Sequence, residues 1–478
     1  MQRRNWLNYF FLEKLAPADI PLVNLQRGAL WISLAMVLQA LNEIGHDWFL
    51  ELLGNGGQLV PFALYLGSFL ALWQAIRQVT RPQPATATIQ RPRAWQVLLL
   101  LLAIVFGFRG VYEFARSIEQ SVQNPPQYWN DGTSLTANAA YLLLEGRDPF
   151  TASTLGEVVQ RFSIHADWTT PLRVGYFAGR VDYPSASEVQ NAFEQAVQSG
   201  NANAFEAKVS YPALSFLPLV PFALFHIENV FPFYLACYLL ILYIAWRVSS
   251  PAIRPWTVLL GLANIPMWSS TVGGNIDVLC FLFLILTWLS SERRWVSALF
   301  LGLACATKQT AWFFVPFYLL LIWRNTGWTE ALRRLIVAGG VALLINLPFI
   351  LWDAHAWLVG ILTPMADPMF PDGIGIITLS VTHLLPYFPG WFYSALEGLA
   401  MIGTLYWYWR ICRRHPEAAM LLAVVPLFFA WRSLPSYFAC AAYATFILLA
   451  AQNRQRKDSQ KFFTPQSLDA KSGPILTS

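Results

Sequence analysis

An aspartate at the start of a short helical pattern is the first residue of this sequence that suggests chemistry. Asp131 lies in the polar stretch YWNDGTSLTANAAYLLLEGRDPF, which follows an apolar segment. Leucine and alanine recur after it at the spacing of one helical face, and Gly146 and Pro149 end the pattern. The pattern predicts a short amphipathic helix on a membrane surface. The carboxylate at its start can act as a general base on a hydroxyl, or it can simply cap the helix.

Two cations interrupt apolar segments further along the chain. Lys308 lies at the tip of the hairpin GLACATKQTAWFFVPF, and Arg432 lies in the turn FFAWRSLPSYF. Charges beside hydrocarbon are costly, so these residues are functional candidates, although both can instead extend to lipid headgroups. Two cations on one membrane face are suited to hold a lipid phosphate while a carboxylate deprotonates an acceptor hydroxyl.

Other polar residues are weaker candidates for the same site. Asn275 and Asp277 open an apolar segment at GGNIDVL, where Asp277 can instead cap a helix. His355 and His383 lie in a later loop and are as readily explained as interfacial polar residues. Asp182, in the segment VDYP, is the rival of Asp131 as the base, or a second carboxylate.

The composition is that of a polytopic helical membrane protein. Of 478 residues, 56% are hydrophobic and 12% are charged, whereas soluble domains carry about 25% charged residues. The five cysteines form no CxxC pair, which argues against a disulfide framework or a thiolate metal site. No Walker A loop, Rossmann glycine motif or GxSxG motif is present, so a nucleotide-dependent reaction in the cytoplasm is unsupported. A nucleic-acid partner is not expected either.

Apolar runs and the arginines beside them predict about twelve transmembrane helices, with both termini in the cytoplasm. The segment after the third run has eleven acidic and six basic residues, and its acidity favours an extracytoplasmic loop. Three prolines in VSYPALSFLPLVPFALFHI favour a re-entrant or interfacial helix over a crossing one. The predicted divisions are a cytoplasmic segment at 1–27, three transmembrane helices at 28–112, an extracytoplasmic loop at 113–230, transmembrane helices at 231–352, a second extracytoplasmic loop at 353–390, C-terminal transmembrane helices at 391–452 and a disordered cytoplasmic tail at 453–478.

Three short patterns in this order resemble the GT-C superfamily of polyprenyl-phosphate-dependent glycosyltransferases. The nearest likeness is to the bacterial mannosyltransferase-like proteins of glycosyltransferase family 87. The first pattern runs from Asp131 through Tyr141 to LEGRDPF, the second is Tyr211 with the prolines that follow it, and the third joins Asn275 to a later GLA and Lys308. Asn275 replaces the glutamine of the family pattern, and an alanine replaces the second proline of its Y-P-P-L segment.

The resemblance implies an all-α GT-C-like bundle in the plasma membrane, with its active site on the extracytoplasmic face. Asp131 would be the catalytic base of an inverting transfer from a polyprenyl-phosphate sugar to a lipid, glycan or protein acceptor. Lys308 and Arg432 would hold the donor phosphate, with Tyr141, Tyr211 and Asn275 as further site residues. No cofactor is implied, and the absence of a DxD pair makes a divalent metal unexpected.

Two other function classes remain open from the sequence. A lipid or solute transporter would be expected to show repeated halves with broken helices at mid-membrane, and no repeat is evident. A non-catalytic envelope assembly protein would tolerate the loss of Asp131.

Overall fold

The computed structural model describes residues 20–79, 93–199, 204–366 and 369–463. This part of the chain is mostly helical and has one sheet of two short strands, which confirms the all-α prediction. The strands are β1 (Asp372–Gly373) and β2 (Arg432–Ser433). The α-helices are α1 (Leu22–Leu53), α2 (Leu59–Val79), α3 (Ala94–Val122), α4 (Asp131–Leu144), α5 (Leu155–Phe162), α6 (Ala186–Ser199), α7 (Val220–Leu224), α8 (Phe231–Val248), α9 (Arg254–Ala263), α10 (Ile265–Val272), α11 (Asp277–Leu289), α12 (Arg294–Thr307), α13 (Val315–Thr326), α14 (Trp328–Trp352), α15 (Ala354–Ala366), α16 (Thr378–Val381), α17 (Gly390–Ile411), α18 (Ala419–Leu422) and α19 (Ala441–Phe463).

Six of the described helical segments are long and apolar enough to cross a membrane, so the chain is a membrane protein. Many large apolar side chains on α3 and α14 are exposed, as expected for surfaces that face lipid. The six segments are Leu22–Leu53, Gly56–Val79, Ala94–Val122, Phe231–Val248, Trp328–Trp352 and Pro435–Asn453.

The predicted count of twelve spans is not confirmed. The predicted span at 256–271 is two helices, α9 and α10, because Asn264 and the proline after it interrupt the helix. The 13 residues of α11 extend about 20 Å, less than the hydrocarbon thickness. The predicted span at 417–431 consists of short 3₁₀ and α-helical turns. The segment Ala213–Leu224 is likewise too short to cross alone, in keeping with the predicted non-crossing helix.

The helix that begins at Asp131 does not lie on a surface, which corrects the amphipathic prediction. Nine of its 14 residues are buried, on every side of the helix. Most of these are alanine, serine, threonine or asparagine, whose small side chains let neighbouring elements approach the helix from several directions. The helix does begin at the predicted residue, and Gly146 follows its end with a left-handed φ of 69°.

The structure shows helices within two of the predicted segments. The second loop at 353–390 contains α15, whose sequence AHAWLVGILTPMA is apolar. The chain is still helical at Phe463, beyond the predicted start of the tail at 453, because glutamine, arginine and lysine there are good helix formers. Most of the predicted cytoplasmic segment at 1–27, and residues 464–478 of the tail, lie outside the described residues.

A parallel strand pair joins the second loop to the turn that carries Arg432. Asp372 is opposite Arg432 and Gly373 is opposite Ser433. The amide of Ile374 donates to the carbonyl of Ser433 at 2.9 Å, which extends the pairing by one residue. The strand pair therefore fixes Arg432 relative to a segment that lies about 60 residues earlier in the chain.

Candidate active site

Asp131 is the first residue of α4, but it is not the residue that caps the helix. Asn130 is the N-cap, and its Oδ1 accepts a hydrogen bond from the Thr133 amide at 2.9 Å. One carboxylate oxygen of Asp131, Oδ2, is buried without a hydrogen-bond partner among the described residues. Asn130 therefore occupies the N-cap position that the capping interpretation gave to Asp131, and Oδ2 of Asp131 is left without a partner in the described part of the chain.

The glycine turn before α11 holds the start of α4 in place. Asn130 Nδ2 donates to the carbonyl of Gly273 at 2.9 Å. The Thr133 hydroxyl lies 2.7 Å from the same carbonyl oxygen and 2.8 Å from that of Gly274. A methyl group on Gly274 would meet Thr133 Cγ2 at 2.8 Å, and its φ of 73° favours glycine. The turn therefore positions the backbone on which Asp131 is carried.

Arg432 brings a positive charge to the Asp131 carboxyl. It lies on β2, half-buried, and it makes no ion pair with a carboxylate in the described part of the chain. Its Nη1 donates to the Sδ of Met369 at 2.9 Å, a weak acceptor for a guanidinium. A partly buried guanidinium that makes no ion pair of its own is suited to bind an anionic ligand.

Burial raises the pKa of Asp131 above the usual value for an aspartate. Hydrogen bonding from the Thr170 side chain and the positive charge of Arg432 oppose this rise. The raised pKa makes the carboxylate a stronger base, while Arg432 and Thr170 favour its ionised form. This combination suits a group that accepts a proton from a hydroxyl.

The second predicted cation is already neutralised. Lys308 Nζ lies 2.8 Å from both carboxylate oxygens of Asp277, and both side chains are buried. The ammonium also lies 5.2 Å from the ring centre of Tyr211 and 5.7 Å from that of Tyr437. Lys308 follows the last residue of α12 and Asp277 is the first of α11, so the pair joins two helix ends.

Tyr211 and Asn275 lie beside the residue that follows Asp131. A methyl group on Gly132 would be 3.6 Å from the Tyr211 hydroxyl and 3.8 Å from Asn275 Oδ1. Because Tyr211 also faces Lys308, a continuous set of side chains links the start of α4 to the Lys308–Asp277 pair. The structure thus brings six of the predicted residues into one region, namely Asp131, Tyr211, Asn275, Asp277, Lys308 and Arg432.

The other four predicted residues lie elsewhere or at the edge. Asp182 is exposed, where its Oδ1 lies 3.6 Å from His383 Nε2 and 3.3 Å from the Tyr387 hydroxyl. Tyr141 is about 15 Å along α4 from Asp131. The guanidinium carbon of Arg161 lies 4.7 Å from the centre of the Tyr141 ring. His355 is exposed at the start of α15.

Four residues near Asp131 and Arg432 were not predicted as site residues: Thr170, Tyr183, Asp372 and Tyr437. The hydroxyl of Tyr183 is influenced by the charges of Asp372, Arg432 and Asp131, and its pKa is raised to about 12, chiefly by burial. Asp372 is brought close by the strand pair. Tyr183 directly follows Asp182 in the VDYP segment. Thr170 and Tyr437 had no sequence signal of their own.

The described residues contain no group of three histidine, cysteine, aspartate or glutamate side chains arranged to hold a metal ion. Independence of a metal stays a prediction.

This geometry can be compared with known proteins. Residues 210–431 match glycosyltransferase family 87. The match confirms the resemblance found in the sequence, covers Tyr211, Asn275, Asp277 and Lys308, and indicates that the protein is a glycosyltransferase. Asp131 lies before the matched region and Arg432 directly after it, so the match covers neither residue. No curated protein and no solved structure matches the chain significantly.

Proposed function

We propose that this glycosyltransferase moves a sugar from a polyprenyl-phosphate donor to an acceptor hydroxyl on the extracytoplasmic face, with Asp131 as the general base. The observation that carries the proposal is the Asp131 carboxyl, which is buried, is not the N-cap of its helix and lies within electrostatic range of Arg432, a cation that makes no ion pair among the described residues. The polyprenyl-phosphate donor is supported by the sequence patterns that resemble the GT-C superfamily.

In the proposed step the acceptor oxygen attacks the anomeric carbon as its proton passes to Asp131. The bond between that carbon and the phosphate oxygen breaks, and its electron pair leaves with the polyprenyl phosphate. Direct attack from the face opposite the phosphate inverts the anomeric centre. Asp131 must be ionised at the start of the step and protonated at its end.

Arg432 is the residue that we assign to the donor phosphate. The leaving phosphate gains negative charge, and the guanidinium can offer it two parallel hydrogen bonds. Lys308 is a weaker candidate for this contact than the sequence suggested, because Asp277 already offsets its charge at 2.8 Å. We assign a structural role to the Lys308–Asp277 pair, which holds the start of α11 against the end of α12 beside Tyr211.

The matched pair Asp131→Asn and Asp182→Asn tests the base. Both changes replace a carboxylate by an isosteric amide, and the exposed Asp182 controls for the loss of negative charge nearby. With radiolabelled polyprenyl-phosphate sugars and membrane-lipid acceptors, Asp131→Asn should lower kcat by about 10²–10⁴-fold. Asp182→Asn should keep most of the activity. Full activity in Asp131→Asn, with loss in Asp182→Asn, would transfer the role to the rival carboxylate.

A further inference from the structure

Two short extended segments approach each other at Asp131. Asn130, with φ −151° and ψ 154°, separates Trp129 from Asp131. Thr169, with φ −109° and ψ 150°, separates Trp168 from Thr170. In extended backbone, residues two apart project from the same side and are about 7 Å apart. Each segment therefore carries an indole next to a polar residue of the site.

The contacts between the two segments follow the same order. Thr170 lies close enough to Asp131 to lower the pKa of its carboxyl, and the ring centres of Trp129 and Trp168 are 5.2 Å apart with an interplanar angle of 56°. The Asp131–Thr170 pair and the Trp129–Trp168 pair are thus neighbouring contacts between the same two segments. Along the backbone, each indole is carried about 7 Å from its polar neighbour two residues on.

The indole pair is accessible and has polar neighbours. Trp129 is 39% exposed, and Trp168 is half-buried. The ring of His165 lies perpendicular to Trp168 at 4.6 Å, and both His165 and Asp167 are exposed. An aromatic surface with hydrogen-bonding groups at its edge suits a ligand that has an apolar face and polar rim. A sugar ring has this character, since its C–H groups lie on the faces and its hydroxyls on the circumference.

We propose that Trp129 and Trp168 form the acceptor subsite and that the acceptor is a saccharide, whose ring stacks on the indoles with one hydroxyl directed to Asp131. This inference rests on the proposed function for the position of the base, and it narrows the acceptor to a glycan. The glycan can be free or attached to a lipid, because the stacking surface contacts only the sugar.

Acceptor kinetics test the subsite. With n-octyl hexosides as acceptors, Trp129→Ala and Trp168→Ala should each raise the acceptor KM by about tenfold, the effect of one lost aromatic contact. The donor KM should not change, and Trp129→Phe should recover most of the loss. Trp48→Ala is the control, because Trp48 is a 59% exposed tryptophan that packs on a neighbouring aromatic ring, Phe49. An acceptor KM unchanged in both variants, or raised equally in Trp48→Ala, would overturn the subsite while the transferase function stands.

A binding measurement separates failure of the subsite from failure of the function. In protein labelled with 5-fluorotryptophan, the ¹⁹F signals that disappear in Trp129→Phe and Trp168→Phe identify the two rings. Titration with octyl hexosides and with lipid-free oligosaccharides should shift these signals. A shift in protein that transfers no sugar would retain the subsite and refute the function. No shift with either ligand would refute the subsite. A shift with octyl hexosides alone would identify a lipid-linked acceptor.

Discussion

The chemistry of Asp131 depends on three opposing influences on one carboxyl group. Burial raises its pKa, whereas Thr170 and Arg432 lower it. The base must be ionised to act, so activity should fall as the pH falls through this raised pKa. The acid limb of kcat/KM reports the group in the free enzyme and should lie at a higher pH than for an exposed aspartate.

Removing either stabilising neighbour should raise the pKa further and move the acid limb to still higher pH. Thr170→Val removes the hydroxyl with little change in shape, and Arg432→Gln removes the charge. The two variants should differ in the donor KM, which only Arg432→Gln should raise, because Arg432 is assigned to the phosphate. A pH–rate series with Asp182→Asn as the control checks both effects. An acid limb that stays in place in both variants would exclude Asp131 as the titrating base.

The Lys308–Asp277 pair offers a separate prediction about stability. Removing one partner leaves a buried charge uncompensated, which typically costs roughly 3–5 kcal/mol, whereas removing both leaves none. Lys308→Met and Asp277→Leu should each lower the thermal unfolding temperature in detergent, and the double variant should recover much of the loss. Recovered activity in the double variant would support a positioning role. Stability restored without activity would instead return Lys308 to the phosphate site.

The same residues show what could be predicted from one sequence. Asp131, Lys308 and Arg432 stand out because ionisable groups are rare beside apolar segments. Their pairing cannot be predicted in this way: Lys308 meets Asp277 only because the ends of α11 and α12 are adjacent. Thr170 and Tyr183 come from irregular segments without periodicity, where no pattern indicates which side chain lies near the site.

At the scale of elements, the turn before α11 determines where α4 begins. The Thr133 hydroxyl is within hydrogen-bonding distance of two successive carbonyls of that turn, and Asn130 Nδ2 donates to one of them. The sequence signals for α4 were its helical spacing and the glycine beyond its end. The burial of α4 was missed because its apolar residues fall on one face in the sequence pattern, which suggested that the opposite face is exposed. In the structure, small polar residues on the other faces are buried as well. The break between α9 and α10 was missed because hydropathy measures the length of an apolar segment and not whether its helix is continuous.

Gly274→Ala should loosen this attachment. The left-handed backbone costs about 1–2 kcal/mol for a residue with a Cβ, and the new methyl group would also collide with Thr133 at 2.8 Å. We expect a lower unfolding temperature and a reduced kcat, since Asp131 is carried on the displaced helix start. Gly156→Ala is the control, because that glycine lies in α5 and an added Cβ would meet open space. Equal effects of the two substitutions would show that the turn does not position the base.

At the scale of the whole molecule, the proposed site draws on segments from most of the chain. Asp131 and Thr170 come from the first predicted loop, Asp372 from the second, and Arg432 from the last turn before α19. If these segments share one face of the membrane, the acidity of the first loop favours the extracytoplasmic face. The short helices around Lys308 would then support the site from within the membrane part.

Cysteine labelling tests this sidedness directly. Four native cysteines are buried and Cys305 is half-buried, so a Cys305→Ser background should give little labelling. Ser187→Cys, exposed on α6 in the first loop, should react with a membrane-impermeant maleimide in intact cells. Asn325→Cys, exposed near the end of α13, should react only after permeabilisation, because the basic residues beside it are predicted to be cytoplasmic. The reverse pattern would place the first loop in the cytoplasm. A polyprenyl-phosphate donor would then have to be used from the cytoplasmic leaflet, and the proposed extracytoplasmic reaction would be wrong even if Asp131 is the base.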